Sequence, residues 1–338
     1  MSCGGERHKP CKIIPFRGGG EQVIESDIST RLNRNSVAFV LIYVHERIVT
    51  RVDRVKVSSI VLLTAVFAAP AAAADLEQAR KLYNLTQFEE SLKVLQAIQV
   101  KDGPVHELIG RNYYMEGEYK KATESLEKAA AADPASSEIA LWAGRAFGRR
   151  AETSSPFTAP GLASKARQFF EKAVQLDPKN MEALSDLFEY YLEAPGFLGG
   201  GLDKAQGIAA RMGELEPADG HWAQAKIAEK HKELRGAEEQ LRRAIEVSPR
   251  GVGHVIDLAR FLAKQGRFQE ADQSLARAEK IAPDAPRLMF VKADLYIKQG
   301  KNLDLAKDLL KRYMTSTLTP DDPPRSEAAK LLKQVQGG

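Results

Sequence analysis

Three consecutive glycines, Gly199, Gly200 and Gly201, stand directly before a predicted helix start at Leu202. Backbone N–H groups at the N-terminus of a helix can converge on a phosphate, which makes this run a candidate nucleotide site. A P-loop, however, requires G-x-x-x-x-G-K-S/T after a strand, and a dinucleotide fingerprint requires G-x-G-x-x-G within a βαβ unit. Neither pattern is present in the sequence. We therefore expect a loop between helices, either purely structural or in contact with a partner.

No other group of residues has the spacing of a catalytic or metal site. The sequence contains no H-E-x-x-H motif, and no Ser/His/Asp or Cys/His set can be assembled from it. Both cysteines, Cys3 and Cys11, lie near the N-terminus, so the rest of the chain has no disulfide and no thiolate metal site. We therefore predict no enzyme activity and no cofactor or metal. The scattered histidines after residue 74 are His106, His221, His231 and His254.

The charge of the chain is unevenly distributed. Of 49 basic and 45 acidic residues, 10 and 6 lie in residues 1–74, which leaves 39 of each in residues 75–338. The net charge of +4 therefore belongs to the N-terminal segment, and the remainder is neutral overall. A neutral chain exerts no general attraction on nucleic acid, so we expect no nucleic-acid partner.

A secretory signal peptide is predicted over residues 51–74. Arg54 and Lys56 precede an apolar run from Ile60 to Ala69, and small residues ending at Ala74 precede the polar Asp75. This order is that of a signal peptide with an A-x-A cleavage site. The run is shorter than the roughly 20 residues of a membrane span, so we expect no stable span after cleavage and a periplasmic or secreted protein.

About 50 residues precede this predicted signal peptide, although such a peptide normally opens a chain. One interpretation is that residues 1–50 are a mis-assigned or disordered leader, with translation beginning near Val52 or Val55. The other is a genuine extension that carries a second apolar patch at residues 36–44.

From Asp75 onward, apolar residues recur at helical spacing, and a common pattern returns several times. Two segments, 103–136 and 252–285, carry it in full, with small, aromatic or large apolar residues and a late proline at matching places. In the first segment these residues are Gly110, Tyr113, Tyr119, Ala122, Leu126, Ala129 and Pro134. In the second they are Ala259, Leu262, Phe268, Ala271, Leu275, Ala278 and Pro283.

This pattern resembles the tetratricopeptide repeat (TPR) family, whose unit is a helix–turn–helix of about 34 residues. The resemblance covers nearly all of residues 75–338, with about seven helix pairs and a capping helix at 325–336. It implies an all-α fold, the right-handed α-α superhelix of a TPR solenoid. The small residues are expected to let paired helices approach closely, while the larger apolar residue fills the space beside them.

Two repeats carry insertions. The late prolines Pro134, Pro178, Pro217, Pro249 and Pro283 are separated by 44, 39, 32 and 34 residues, so the third and fourth units are long by ten and five. Both excesses fall between the two helices of their own repeat. Each insertion contains Ala-Pro-Gly, and we expect Ser164 and Asp203 to be the N-caps of the following helices.

Equivalent turns of successive repeats project from the same edge of a solenoid. Residues 155–161 and 195–201 are therefore expected to form one loop edge. Its candidate contact residues are Phe157, Phe197, Gly199, Gly200 and Gly201.

The resemblance also implies a concave groove lined by the first helix of each repeat. The candidate peptide-binding residues there are Arg111, Tyr114, Arg145, Arg149, Glu189, Trp222 and Arg260. Arginines beside a tyrosine can hold the carboxylates of a peptide by paired hydrogen bonds and stacking. The alternative is that Arg111, Arg145 and Arg149 pair with carboxylates of neighbouring repeats; the candidates are Glu107, Glu138 and Glu189.

We therefore expect a non-catalytic scaffold or adaptor of the bacterial envelope that binds a protein or peptide through the groove and the loop edge. A second hypothesis is a binding module for an envelope small molecule or polysaccharide. Exposed aromatic platforms on the loop edge would favour it, and only Phe157 and Phe197 are available there.

Overall fold

The structure, a computed structural model, describes residues 73–319, 322–323 and 325–336. The predicted leader (1–50) and the signal peptide up to residue 72 lie outside the described residues. Within the described ranges the regular structure is helical, with no strand. None of the helices in these ranges is both long and apolar enough to cross a membrane.

In the described part of the chain, fifteen α-helices follow one another as seven helix pairs and a final single helix, which confirms the predicted solenoid with its cap. Each pair is one repeat, and successive helices pack against each other along the chain. The first three repeats comprise α1 (73–84) and α2 (Phe88–Ala97), α3 (Gly103–Met115) and α4 (Tyr119–Ala132), and α5 (Ser137–Glu152) and α6 (Ala159–Leu176). The next two comprise α7 (Met181–Glu193) and α8 (Leu202–Leu215), and α9 (Pro217–Lys230) and α10 (Leu234–Val247). The last helices are α11 (Val252–Lys264), α12 (Phe268–Ile281), α13 (Pro286–Gln299), α14 (Leu303–Thr315) and the cap α15 (Arg325–Gln336).

Side-chain caps define the starts of three first helices. Asp102, Ser136 and Asn180 each accept a hydrogen bond from a backbone N–H in the first turn of α3, α5 and α7. Such a cap satisfies one of the unpaired donors at a helix start. The register of each capped helix is thereby set relative to the turn before it.

Close contact between the two helices of a repeat depends on the small residues of the pattern. A Cβ added to Gly110 would lie 2.5 Å from Cγ of Leu126, and one added to Gly144 would lie 2.5 Å from the Phe170 ring. No ordinary contact is that short, so both positions have room only for hydrogen. The predicted pairing of a small residue with a large apolar one is therefore a direct contact.

In the fourth repeat other residues fill the contact between the two helices. Phe188 occupies the place of the small residue and is fully buried, with its ring 5.7 Å from that of Trp222. Met212, on the opposite helix, is buried in the same core cluster. Methionine adapts its shape readily, so it can accommodate the large ring.

The fifth repeat is short because its connector is short. A single residue, Glu216, separates α8 from α9, whereas four residues, 133–136, separate α4 from α5. Pro217 opens α9 directly, where its missing N–H costs nothing. The tight turn brings two helix backbones together, since a Cβ on Gly220 would overlap Cα of Gly213.

The ten-residue insertion is largely helical. It lengthens the third repeat to a 16-residue α5 and an 18-residue α6, joined by a short turn at 153–158. The expectation that Ser164 caps the second helix is wrong. Pro160 occupies the first turn of α6, which starts the helix more than one turn before Ser164.

The five-residue insertion remains a loop and contains a 3-10 turn over Gly196–Leu198. Helix α8 begins at Leu202 with Gly201 in the N-cap position, so the expectation that Asp203 is the N-cap is also wrong. Asp203 lies in the first turn instead, where a negative charge still interacts favourably with the helix dipole.

Candidate functional site

The first helices of the repeats share one open pocket. Its lining comes from α3, α5, α7, α9 and α13, so five different repeats face the same space; the lining residues are Tyr114, Met115, Trp142, Arg145, Met181, Glu182, Ser185, Asp219 and Arg287. We call this surface, together with the adjoining residues of the first helices, the inner groove.

Trp142 is the centre of the N-terminal half of the inner groove. The guanidinium carbons of Arg111 and Arg145 lie 4.5 Å and 5.0 Å from the centre of its ring system. Tyr114 meets the same ring edge-on at 5.4 Å between centroids. Trp142 itself is almost fully buried. We call the two guanidinium groups and this indole the arginine–tryptophan stack.

Each arginine of the stack is also paired with two carboxylates. Arg111 lies 3.1 Å from Glu107 on its own helix and 2.6 Å from Glu138 on the next first helix. Arg145 has both of its carboxylates on the next first helix, with Asp186 at 2.5 Å and Glu182 at 2.9 Å.

Arg149 lies one helical turn beyond Arg145 and is less enclosed. Its guanidinium carbon is 5.5 Å from the centre of the Tyr119 ring, and its nitrogens lie 2.5 Å from Glu152 and 3.9 Å from Glu327 of the cap. Arg111, Arg145 and Arg149 therefore all have carboxylate neighbours. Arg111 and Arg145 each pair with a carboxylate of the next repeat, as the alternative interpretation of these arginines expected. The carboxylates beside Arg145 are those of Asp186 and Glu182 rather than that of Glu189.

Burial dominates the electrostatics of this half of the groove. The Tyr114 hydroxyl is desolvated, which raises its pKa to about 12 despite the nearby cations Arg149 and Arg145. Burial likewise raises the pKa of the Asp186 carboxyl, and the charge of Arg145 opposes that shift.

Glu189 and Trp222 lie further along the inner groove, around Lys226. The Lys226 ammonium is 5.7 Å from the centre of the Trp222 ring. Desolvation raises the pKa of the Glu189 carboxyl, repulsion from Asp186 adds to the shift, and the charge of Lys226 opposes it. Glu189 has no ion pair within 4 Å among the described residues.

Arg260, the last predicted groove residue, is exposed and lies 3.9 Å from Asp257. Burial raises the pKa of the Asp257 carboxyl, while Lys226, Arg260 and Arg287 oppose the shift. The predicted residues thus fall into two groups: those around the arginine–tryptophan stack and those around Lys226 and Asp257.

Sequence reasoning did not identify Asp186, Asp257 and Trp142 as groove residues. A signal for each was present. Asp186 stands three residues before Glu189, and Asp257 three residues before Arg260, so each shares a helix face with a predicted groove residue. Trp142 stands three residues before Arg145, within reach of its guanidinium.

The three glycines of the second loop use their own N–H groups within the loop. Gly199, Gly200 and Gly201 donate to the carbonyls of Gly196, Pro195 and Tyr191 at 2.9, 3.3 and 2.9 Å. These amides are therefore not directed at a common point where an anion could bind. Two of the positions also require glycine, because Gly199 has a φ of +86° and a Cβ on Gly200 would overlap the Ala194 carbonyl oxygen.

Both insertions expose an aromatic ring. The side chains of Phe157 and Phe197 are 95% and 83% exposed, the highest values among the large apolar residues of the described chain. The second loop lies against the third repeat, since a Cβ on Gly199 would meet the Arg167 side chain of α6 at 2.7 Å. The structure thus brings the second loop to the repeat that carries the first.

The described residues contain no cluster of three or more His, Cys, Asp or Glu side chains that could hold a metal ion. Two histidines have polar neighbours: His221 Nδ1 lies 2.7 Å from Gln240, and His254 Nε2 lies 3.8 Å from Asp219.

A family model described as tetratricopeptide repeat matches residues 108–180, 222–286 and 256–323, together 175 of the 338 residues. A crystal structure of a tetratricopeptide repeat protein from Parabacteroides merdae superposes with a TM-score of 0.50 at 13% identity, covering 79% of this chain and 99% of that one. A thermophilic TPR protein of Thermus thermophilus gives a TM-score of 0.46 at 18% identity, covering 56% of this chain and 98% of that one. No curated protein matches the chain.

The role of the glycine run can be tested with Gly200→Ala. The new methyl group would collide with the Ala194 carbonyl, so we expect a cost of about 1–3 kcal/mol and a thermal midpoint lower by a few degrees in circular dichroism. Gly201→Ala is the matched control, because its Cβ would meet nothing within 4 Å and its φ of 163° is extended. Equal effects of both substitutions would contradict a steric role for Gly200.

The raised pKa of Asp257 predicts a pH-dependent effect of Asp257→Asn. The folded protein holds this proton more tightly than the unfolded chain, so Asp257 destabilises the fold as pH rises above the usual carboxyl range. We expect Asp257→Asn to raise the melting temperature at about pH 7, with an advantage that shrinks toward about pH 4.

Asp294→Asn is the control for this experiment. Asp294 lies 2.7 Å from Lys298, so its neutralisation removes an ion pair and should give no gain in stability. A pH-independent difference between wild type and Asp257→Asn would contradict the assignment.

Proposed function

Because the chain belongs to the tetratricopeptide repeat family, we propose that it is a non-catalytic scaffold that binds a protein or peptide partner through the inner groove. TPR repeats are protein-interaction modules, and the solenoid presents one extended concave surface. The observation that carries the proposal is the shared pocket, to which the first helices of five repeats contribute side chains.

The pairing of the groove arginines suits exchange with a partner's carboxylates. In each pair one acid is enclosed with the arginine and the other is open to solvent: the side chains of Glu138 and Glu182 are 60% and 65% exposed, against 17% and 22% for Arg111 and Arg145. An exposed ion pair is worth only about 0–1 kcal/mol, so a partner's carboxylate can displace Glu138 or Glu182 at little cost.

The other half of the groove complements basic groups. Glu189 has no ion pair within the described part of the chain, and burial and the repulsion from Asp186 raise the pKa of its carboxyl although Lys226 opposes the shift, so a further cation from a partner would favour the charged form. We therefore infer an extended partner segment with acidic side chains toward the arginine–tryptophan stack and a basic side chain toward Glu189. Trp222 and Tyr114 supply the aromatic contacts.

The loop edge is proposed as a second contact surface. Residues 153–164 and 194–202 contain no charged side chain, and each stretch carries one highly exposed phenylalanine, Phe157 or Phe197. Uncharged surface with exposed aromatic rings is characteristic of a binding surface.

Site-specific photo-crosslinking in cells tests both surfaces. A photoreactive residue at Ser185, in the inner groove, should give discrete adducts, because a bound partner would lie against it. The same residue at Phe197 should give adducts if the loop edge is used. The control is Glu246, an exposed position on the second helix of the fifth repeat. Adducts at Glu246 equal to those at Ser185, or none at Ser185, would overturn the groove as the binding surface.

We also infer that the protein is exported to the bacterial envelope or beyond. The support is the order of residues 51–75: a basic start, an apolar run from Ile60 to Ala69 and small residues before Asp75. Residues 75–338 contain no cysteine, so the solenoid folds without regard to the redox state of the compartment.

N-terminal sequencing of the protein recovered from the envelope or the medium tests this inference. We expect a mature terminus at Asp75, because signal peptidase cleaves after the small residues that end at Ala74. A terminus upstream of Ile60, or recovery only from the cytoplasm, would contradict it.

A further inference from the structure

The cap helix α15 contacts the first repeat, 239 residues away in sequence. The Arg325 guanidinium donates through Nη1 to the Thr86 hydroxyl, in the turn between α1 and α2. The same side chain donates through Nε to the Met314 carbonyl at 3.1 Å and through Nη2 to the Ser316 carbonyl at 2.8 Å. Arg325 therefore ties the end of α14 and the start of α15 to the opposite end of the solenoid.

Thr86 adopts a backbone conformation that its side chain disfavours. Its φ is +57°. The equivalent turns of the second, sixth and seventh repeats have glycine at this point, Gly117, Gly266 and Gly300, with φ of 80°, 74° and 63°, and the turn of the fifth repeat has Lys232 with φ of 62°. A β-branched residue with positive φ is a strained outlier. The strain places a hydroxyl where glycine would offer none, and that hydroxyl is the acceptor for Arg325.

A second contact joins the cap to the inner groove. Glu327 lies 3.9 Å from Arg149, which is more exposed than Arg111 and Arg145. A cleft of about 750 Å³ between these ends is walled by Phe88 and Leu92 of α2 on one side and by Leu318 and Pro323 on the other. The cap thus faces the first repeat and a groove residue of the third repeat together.

We propose that α15 is a latch that closes the solenoid on itself, with Arg325 and Thr86 as the catch and with Glu327 held at Arg149 in place of a partner's carboxylate. Opening the latch removes Glu327 from Arg149, leaves Glu152 as its carboxylate neighbour, and so makes Arg149 more available to a partner. The closing contact stands independently of any partner, while the gating of the groove rests on the proposed function.

Hydrogen–deuterium exchange on the full chain tests the catch. Arg325→Ala and Thr86→Val should each speed exchange across the contact, in residues 84–90 for the first and residues 325–330 for the second. About tenfold is expected for the loss of one hydrogen bond to a charged group. Thr86→Val keeps the branched shape at the strained position and removes only the hydroxyl. Arg312→Ala, an exposed arginine of α14 outside this contact, is the control and should change neither segment.

Unchanged exchange at residues 84–90 in Arg325→Ala would overturn the latch. So would unchanged exchange at residues 325–330 in Thr86→Val. Neither result depends on partner binding, so failure of the latch and failure of the crosslinking experiment at Ser185 can be told apart.

Chemical modification of Arg149 tests the gating. Phenylglyoxal should modify Arg149 about twofold to fivefold faster in Glu327→Gln and in Arg325→Ala than in wild type, the range that loss of one exposed ion pair implies. Arg145, whose carboxylate partners remain, is the internal reference and should keep its rate. Peptide mass spectrometry measures both sites in one sample. An unchanged rate at Arg149 in both variants would overturn the gating role of the cap.

Discussion

The close approach of paired helices is the constraint on which the rest of the structure depends. Gly110 and Gly144 leave room only for the side chains that oppose them, Leu126 and Phe170. Because protein interiors tolerate almost no overlap, each such contact sets the distance and register of its two helices. Repeating the contact aligns the first helices along one face, so that residues about 34 positions apart in sequence become neighbours in the inner groove.

The groove is built by cooperation between repeats. Trp142 of the third repeat holds Arg111 of the second and Arg145 of its own helix, and Arg145 in turn reaches Asp186 of the fourth. The arginine of one repeat is therefore oriented by the acid of the next. Groups arranged in advance in this way lose little freedom when a ligand binds, which supports the proposed displacement of the exposed Glu138 and Glu182 by a partner's carboxylates.

The two insertions leave this core arrangement intact because both lie between the helices of one repeat. The longer one extends α5 and α6, and the shorter one folds into a turn whose glycines satisfy its own backbone. A phosphate site would need those same N–H groups to remain free. What distinguishes the insertions is that each exposes a phenylalanine, Phe157 or Phe197, within a stretch that has no charged side chain.

The sequence by itself determined the all-α solenoid, its seven helix pairs and cap, and the position of both insertions. These features follow from a local pattern of apolar and small residues that recurs in each repeat. It did not determine the helix starts near Ser164 and Asp203, where proline and glycine outweighed the capping preference of single residues. Tertiary structure alone decided that Arg145 pairs with Asp186 and that Arg325 reaches Thr86. Such contacts depend on the curvature that accumulates over many repeats, and no single repeat encodes it.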